Sequence, residues 1–254
     1  MERYGTHALP VGIFAGLIII WESVVRLAHI PLYVLPSPTE MLKALYEEAG
    51  TLAVHSCVTV FEALAGMGIA LIMAVLLGIA MDGFGAVKRG LYPLLVVTQT
   101  VPMIVLAPIL IIYLGFGMTP KILTVVLMCF FPIVVSFTDG MAHLDQDYIN
   151  LVRSYGAGRW KVYRLVKIPA ALPALISGLK VSATYSISGA VVGEWIGSQS
   201  GLGYYLLRVK NGYMLDRVFA CVFVIILLSL MMNGLIRVIQ SVSMPYNRAG
   251  KGGK

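Results

Sequence analysis

Three carboxylates stand where an apolar chain least tolerates them. Glu22, Glu62 and Glu194 fall within or at the edge of long hydrophobic runs. An ionisable group there costs about 3 kcal/mol on insertion scales, so it is kept for a partner or a purpose. Weaker polar groups surround them. Ser177, Thr184 and Ser188 share one helical stripe with Tyr185 beside it, and Gln99 and Thr100 precede Pro102 and Pro108. A stripe of this kind suits the passage of a polar solute, because binding must stay loose enough to release it. The same groups also serve hydrogen bonding between packed helices, and Gly178, Gly189 and Gly193 fit that alternative. Glu194 either lines the passage at its outer end, pairs with a base of another subunit, or caps a helix near the boundary. Glu62 follows Thr59 with capping-box spacing, so a helix start is its plainer reading. Glu22 has Arg26 four residues later as a helix-face partner.

Other chemistries find no support. Nothing matches a phosphate-binding loop of the form G-x-x-x-x-G-K-[ST], so the chain cannot run on ATP alone. The Gly pairs at 115–117 and 201–203 read as turns. His7, His29, His55 and His143 are scattered without metal-ligand spacing. Cys57, Cys129 and Cys221 all lie in apolar runs and read as small packing hydrophobes. No Ser/His/Asp set is placed by the sequence.

The elements that must position these residues are membrane spans. The chain of 254 residues is 59% hydrophobic and only 12% charged, with a mean hydropathy of +0.87. A soluble domain is about 45–50% apolar and about 25% charged. Runs of about 20 apolar residues are long enough to cross a bilayer as helices. Six occur, at roughly 10–28, 57–81, 91–114, 121–139, 174–197 and 218–240. They are too long and too uniform for barrel strands. The first lacks a small-residue cleavage site and reads as a retained span. The reading is an all-α, polytopic membrane protein forming one domain over 1–254, with a flexible polar tail at 246–254. Pro31, Pro36 and Pro38 break the connection after the first span. A short amphipathic helix follows over 39–49, with Pro38 suited to its first turn. Placing the N-terminus inside puts twelve basic residues on inner segments and six on outer ones, so both termini are expected in the cytoplasm. The net charge of +7 is thus a matter of topology, with no call for a nucleic-acid partner.

Between the fourth and fifth runs lies a polar island, NLVRSYGAGRWKVYRLVKIPAALP at 150–173. Asp145 or Asp147 is placed to cap a helix over 148–155. Gly156 and Gly158 let the chain turn, because Gly tolerates left-handed backbone angles. A second short helix over 160–167 is expected to end at Pro169.

These residues resemble the cytoplasmic loop of permease subunits of bacterial ABC importers. The family pattern is Glu-Ala-Ala, three residues, Gly, nine residues, then Ile-x-Leu-Pro. Gly156 takes the Gly position, and Val166, Ile168 and Pro169 take the last three; Asn150, Leu151 and Val152 replace the Glu-Ala-Ala. The likeness continues through GAGRWKVYRLVKIPAALPALISGLK. The segments LPSPTEML, VPMIVLAPILIIYLGFG and GEWIGSQSGLGYYL, in that order, resemble the branch importing nitrate, sulfonates, taurine and pyrimidine-type vitamin precursors. The resemblance implies a coupling loop at 140–173 that docks in a groove of an ATP-binding subunit. Tyr155, Gly156, Ala157, Arg159, Trp160, Val166, Ile168 and Pro169 would carry that contact. It further implies a homodimer with the path between two copies, two ATPase subunits and an extracytoplasmic solute-binding protein in the bacterial inner membrane. ATP and Mg would be bound by the ATPase partner, leaving this chain without a cofactor. GAVVGEW followed by SQSGLGYYL leans towards hydroxymethylpyrimidine-type cargo. The rival reading is an ion-coupled secondary carrier, which would want charges mid-span and repeat symmetry. A membrane-embedded enzyme ranks third, lacking a convergent catalytic set.

Overall fold

The computed structural model describes residues 5–243, and every regular element within them is helical. In chain order these are α1 (Gly5–Leu27), α2 (Pro38–Glu47), α3 (Ala49–Gly83), α4 (Gly85–Thr98), α5 (Met103–Leu114) and α6 (Met118–Ala142). Then come α7 (Gln146–Ser154), α8 (Arg159–Val162), a π-helical turn at Tyr163–Lys167, α9 (Ile168–Glu194), α10 (Leu202–Asn211) and α11 (Leu215–Ser243). Five stretches are long and apolar enough to cross a membrane: Leu9–Leu27, Ala49–Gly83, Met118–Ala142, Arg159–Glu194 and Leu215–Ser243. The polar tail expected at 246–254 lies outside the described residues.

The third expected span is corrected. Instead of one helix over 91–114, α4 and α5 meet at a break and are bent by 103°. Pro102 lacks a backbone donor and biases the residue before it away from helix, so the helix stops at Thr98 and restarts at Met103.

Packing divides the chain into two units, Met1–Val58 with Gln199–Ile226 and Thr59–Ser198 with Leu227–Lys254. In the first, the expected Glu22–Arg26 pair forms, and Glu22 also accepts from the Thr39 amide at 3.1 Å and its hydroxyl at 2.9 Å. Helix α2 begins as its sequence dictates: Ser37 caps it, Pro38 opens it, and Glu40 closes a capping box. His55 Nδ1 accepts the Gly201 amide at 3.0 Å and stands beside the rings of Tyr204 and Tyr205.

The second unit is organised by α6 against α9. The backbones meet so closely that a Cβ on Gly178 would fall 2.6 Å from the Pro132 carbonyl oxygen. Small residues permit this approach, and dispersion plus hydrogen bonds then replace the hydrophobic drive that lipid cannot supply. The Ser182 hydroxyl donates to the Cys129 carbonyl at 2.9 Å, and the Cys129 thiol returns a contact to the Ser182 carbonyl at 3.4 Å. Nearer the loop, Phe137, Met141, Tyr163 and Ala171 form a core with Val75, Ile79, Ile168 and Leu175. Cys129 and Cys221 are buried, as packing residues should be, but Cys57 is exposed on α3.

Candidate functional site

The loop after α6 is built by local rules. Asp145 caps α7, its carboxylate accepting the Asp147 amide at 3.0 Å. The helix ends in a Schellman turn: the Gly156 amide donates to the Arg153 carbonyl at 2.9 Å and the Ala157 amide to Val152 at 3.3 Å. Gly156 sits at φ +78°, in the left-handed region where a side chain is strained. Gly158, by contrast, has φ −68° and needs no such freedom. Tyr155 and Trp160 are largely exposed, 84% and 67%.

The second short helix does not end at Pro169. Helix α8, the π-helical turn and α9 run on as one 36-residue stretch from Arg159 to Glu194. Pro169 falls in the first turn of α9, where a missing N–H is tolerated best, and the wider π-turn before it absorbs the ring.

Asp82, which the sequence did not single out, ties this stretch to the end of α3. Its Oδ2 accepts the Tyr163 hydroxyl at 2.5 Å and the Lys167 ammonium at 2.6 Å. Arg159 donates to the Gly83 carbonyl and lies 5.3 Å from the centre of the Phe84 ring. The signal available was a lone acid at the end of an apolar run facing a basic island, but no spacing rule joins residues 85 positions apart.

The membrane carboxylates are also re-sorted. Thr59 and Glu62 lie inside α3 rather than at a helix start, so they cap nothing. Lys121 is 6% exposed and in the first turn of α6, not on an outer loop as the charge count assumed. It donates to Glu62 Oε1 at 3.0 Å, while the Thr59 hydroxyl donates to Glu194 Oε1 at 2.7 Å. Glu62 and Glu194 are both fully buried. The cluster clamps α3, α6 and α9 together. Glu194 therefore does not stand at the end of the polar stripe; the geometry gives it the role of a helix tie.

The stripe itself lies on the opposite face of α9. Ser177, Thr184, Tyr185 and Ser188 are exposed, whereas Gly178, Ser182, Ser186, Gly189 and Gly193 are buried against the bundle. Ser177 bonds back to the Pro173 carbonyl at 2.9 Å, and the Thr184 hydroxyl accepts from the Asn233 amide at 3.0 Å. Gln99 and Tyr185, expected on different spans, line one cavity of about 310 Å³ with Pro102, Met103, Met128 and Phe131.

The family described as "Binding-protein-dependent transport system inner membrane component" matches residues 66–241. A probable ABC transporter permease protein of Haemophilus influenzae is 32% identical over 87% of this chain and 90% of its own length. The formylaminopyrimidine transport permease protein ThiX of Halalkalibacterium halodurans is 31% identical over 98% of this chain and 99% of its own. The taurine transport system permease protein TauC of Escherichia coli is 28% identical over 94% and 90%. Among solved structures, an inward-facing form of the MetNI methionine ABC transporter superposes with a TM-score of 0.54 at 19% identity. It covers 81% of this chain and 98% of that one, and shares the fold.

Proposed function

The chain belongs to the binding-protein-dependent transport system inner membrane components, and we propose that its 140–173 loop receives the stroke of a separate ATPase. It is a multi-pass permease of an ABC importer for a small solute, and permeases of this family are not enzymes. The proposed assembly is a homodimer in the bacterial inner membrane, with both termini cytoplasmic. Two ATP-binding subunits would carry ATP and Mg, and an extracytoplasmic protein would deliver the solute. The α4–α5 pair would count as one broken span, giving six.

The observation that carries this reading is the uninterrupted helix from Arg159 to Glu194. Its near end joins the exposed Tyr155–Trp160 segment through the Schellman turn at Gly156, and its far end reaches the buried cluster. A push on the loop passes along α8, the π-turn and α9 with no loop between them. Asp82 makes α3 follow the same stroke. The stripe of Ser177, Thr184, Tyr185 and Ser188 would then turn against the second copy and open or close the path.

Replacing Gly156 by Leu tests this in the assembled importer. The left-handed angle disfavours a side chain by roughly 1–2 kcal/mol, enough to reshape the turn but not to unfold six spans. Solute uptake is expected to collapse while ATP hydrolysis persists. Uptake at the normal rate, with hydrolysis still tied to it, would remove the loop from the mechanism.

A further inference from the structure

The cavity between the α4–α5 break and α9 is chemically selective. Its polar side chains are Gln99 and Tyr185; the rest of its lining is apolar, with no acidic, basic or histidine side chain. An anion entering such a site would shed water without a charged donor to replace it, which is expensive in a low-dielectric setting. A neutral ring faces no such cost. The Gln99 amide presents a donor and an acceptor side by side, and the Tyr185 hydroxyl can do either. That pairing matches the edge of an aminopyrimidine, where a ring nitrogen accepts beside an exocyclic amine that donates. Phe131 offers a face for ring contact, and Met103 and Met128 supply polarisable sulfur that adapts to an aromatic edge. The volume of about 310 Å³ stands at the small end for ligand pockets and suits a single ring.

The α4–α5 break explains why a polar group can be offered here at all. Gln99 is the C-cap of α4, and Thr98 and Thr100 bond back to the Leu95 and Val97 carbonyls at 2.9 and 2.8 Å. The break thus satisfies its own backbone through local hydroxyls and leaves the Gln99 side chain exposed beside the cavity. Tyr185 lies on the same exposed face of α9 as Thr184 and Ser188, so it belongs to both the cavity and the stripe.

We propose that this cavity is a solute subsite of the permease itself, selecting a neutral single-ring aminopyrimidine over a sulfonate through Gln99 and Tyr185. The proposal rests on the importer reading and names its cargo class. The relatives that transport formylaminopyrimidine and taurine mark the two chemistries to be told apart.

The test is saturation-transfer NMR on the full chain in lipid nanodiscs, with formylaminopyrimidine and taurine as probes. The pyrimidine ring protons should receive saturation and the taurine methylenes should not. Gln99→Leu and Tyr185→Leu should each weaken pyrimidine binding about tenfold, the loss of one good hydrogen bond. Gln99→Arg should reverse the preference, admitting taurine, and so gives a gain that misfolding cannot imitate. The proposal is overturned if taurine saturates the unaltered chain as strongly as the pyrimidine, if neither probe is saturated, or if both leucine variants bind the pyrimidine normally. This readout needs neither ATP nor a partner chain. A permease that binds the pyrimidine but fails to move it once assembled would therefore refute the importer reading and leave the subsite standing.

Discussion

The Glu62–Lys121–Glu194 cluster and the Gln99–Tyr185 cavity draw on the same two helices, α6 and α9, yet handle polarity in opposite ways. The cluster gathers three ionisable groups in full burial and gives each a fixed partner. The cavity keeps only neutral groups and leaves them open. The difference is one of exchange. A charge in hydrocarbon is tolerable only when its partner never leaves, so it can tie helices but cannot hand a solute onwards. Neutral amides and hydroxyls lose little on release, so they can. Polarity within a span thus separates into ties and path by charge state and burial rather than by polarity alone.

The comparison breaks hardest at the tie. Lys121→Met leaves two buried carboxyls without their ammonium and should cost about 3–5 kcal/mol. Thermal unfolding of the purified chain should show it as a large drop or as failure to accumulate. Adding Glu62→Leu should recover much of the loss, since a pair replaced by apolar groups is close to neutral. A single variant as stable as the parent would show that the cluster is no tie.

Asp82→Asn probes a charged group at the end of α3, facing the loop rather than the buried cluster. Its carboxylate is a tenth exposed and serves Tyr163 and Lys167 together, so a cost of about 1–3 kcal/mol is expected. Its sharper signature is kinetic: more ATP should be spent per solute moved in the assembled transporter. An unchanged ratio would detach α3 from the stroke.

On the open face the expectation inverts. Thr184→Leu gives up the hydrogen bond from Asn233 and should cost no more than about 1.5 kcal/mol, and Ser188→Leu no more than about 0.5 kcal/mol, while both slow uptake. Were either to destabilise strongly with uptake intact, the stripe would be a packing surface. The mildest perturbation concerns only topology. Single cysteines at Lys43 and Lys251 should react with an impermeant label from opposite sides. Labelling from one side would make α4 and α5 a re-entrant hairpin and leave five spans.

The sequence alone settled a good deal. Hydropathy over runs of about 20 residues is a property of consecutive residues, so the helical membrane architecture was legible. So was the loop: an acid at 145 or 147 as cap and Gly156 as left-handed turn are local choices of backbone chemistry. The stripe of Ser177, Thr184 and Ser188 followed from helical spacing; that Gly178, Gly189 and Gly193 form a separate buried seam on the opposite face did not. What stayed hidden depends on distance across the fold. Lys121 counted as a loop charge until α6 placed it against Glu62, 59 residues away. Glu194 read as the mouth of a path until burial with Thr59 made it a tie. Pro169 looked like a helix end because the rule against proline is local, whereas the π-turn that accommodates it is seated in the core around Tyr163. Periodicity says which residues share a face of one helix. Only packing decides what that face meets, and for a charged group in a membrane that meeting determines whether it holds the fold or serves the solute.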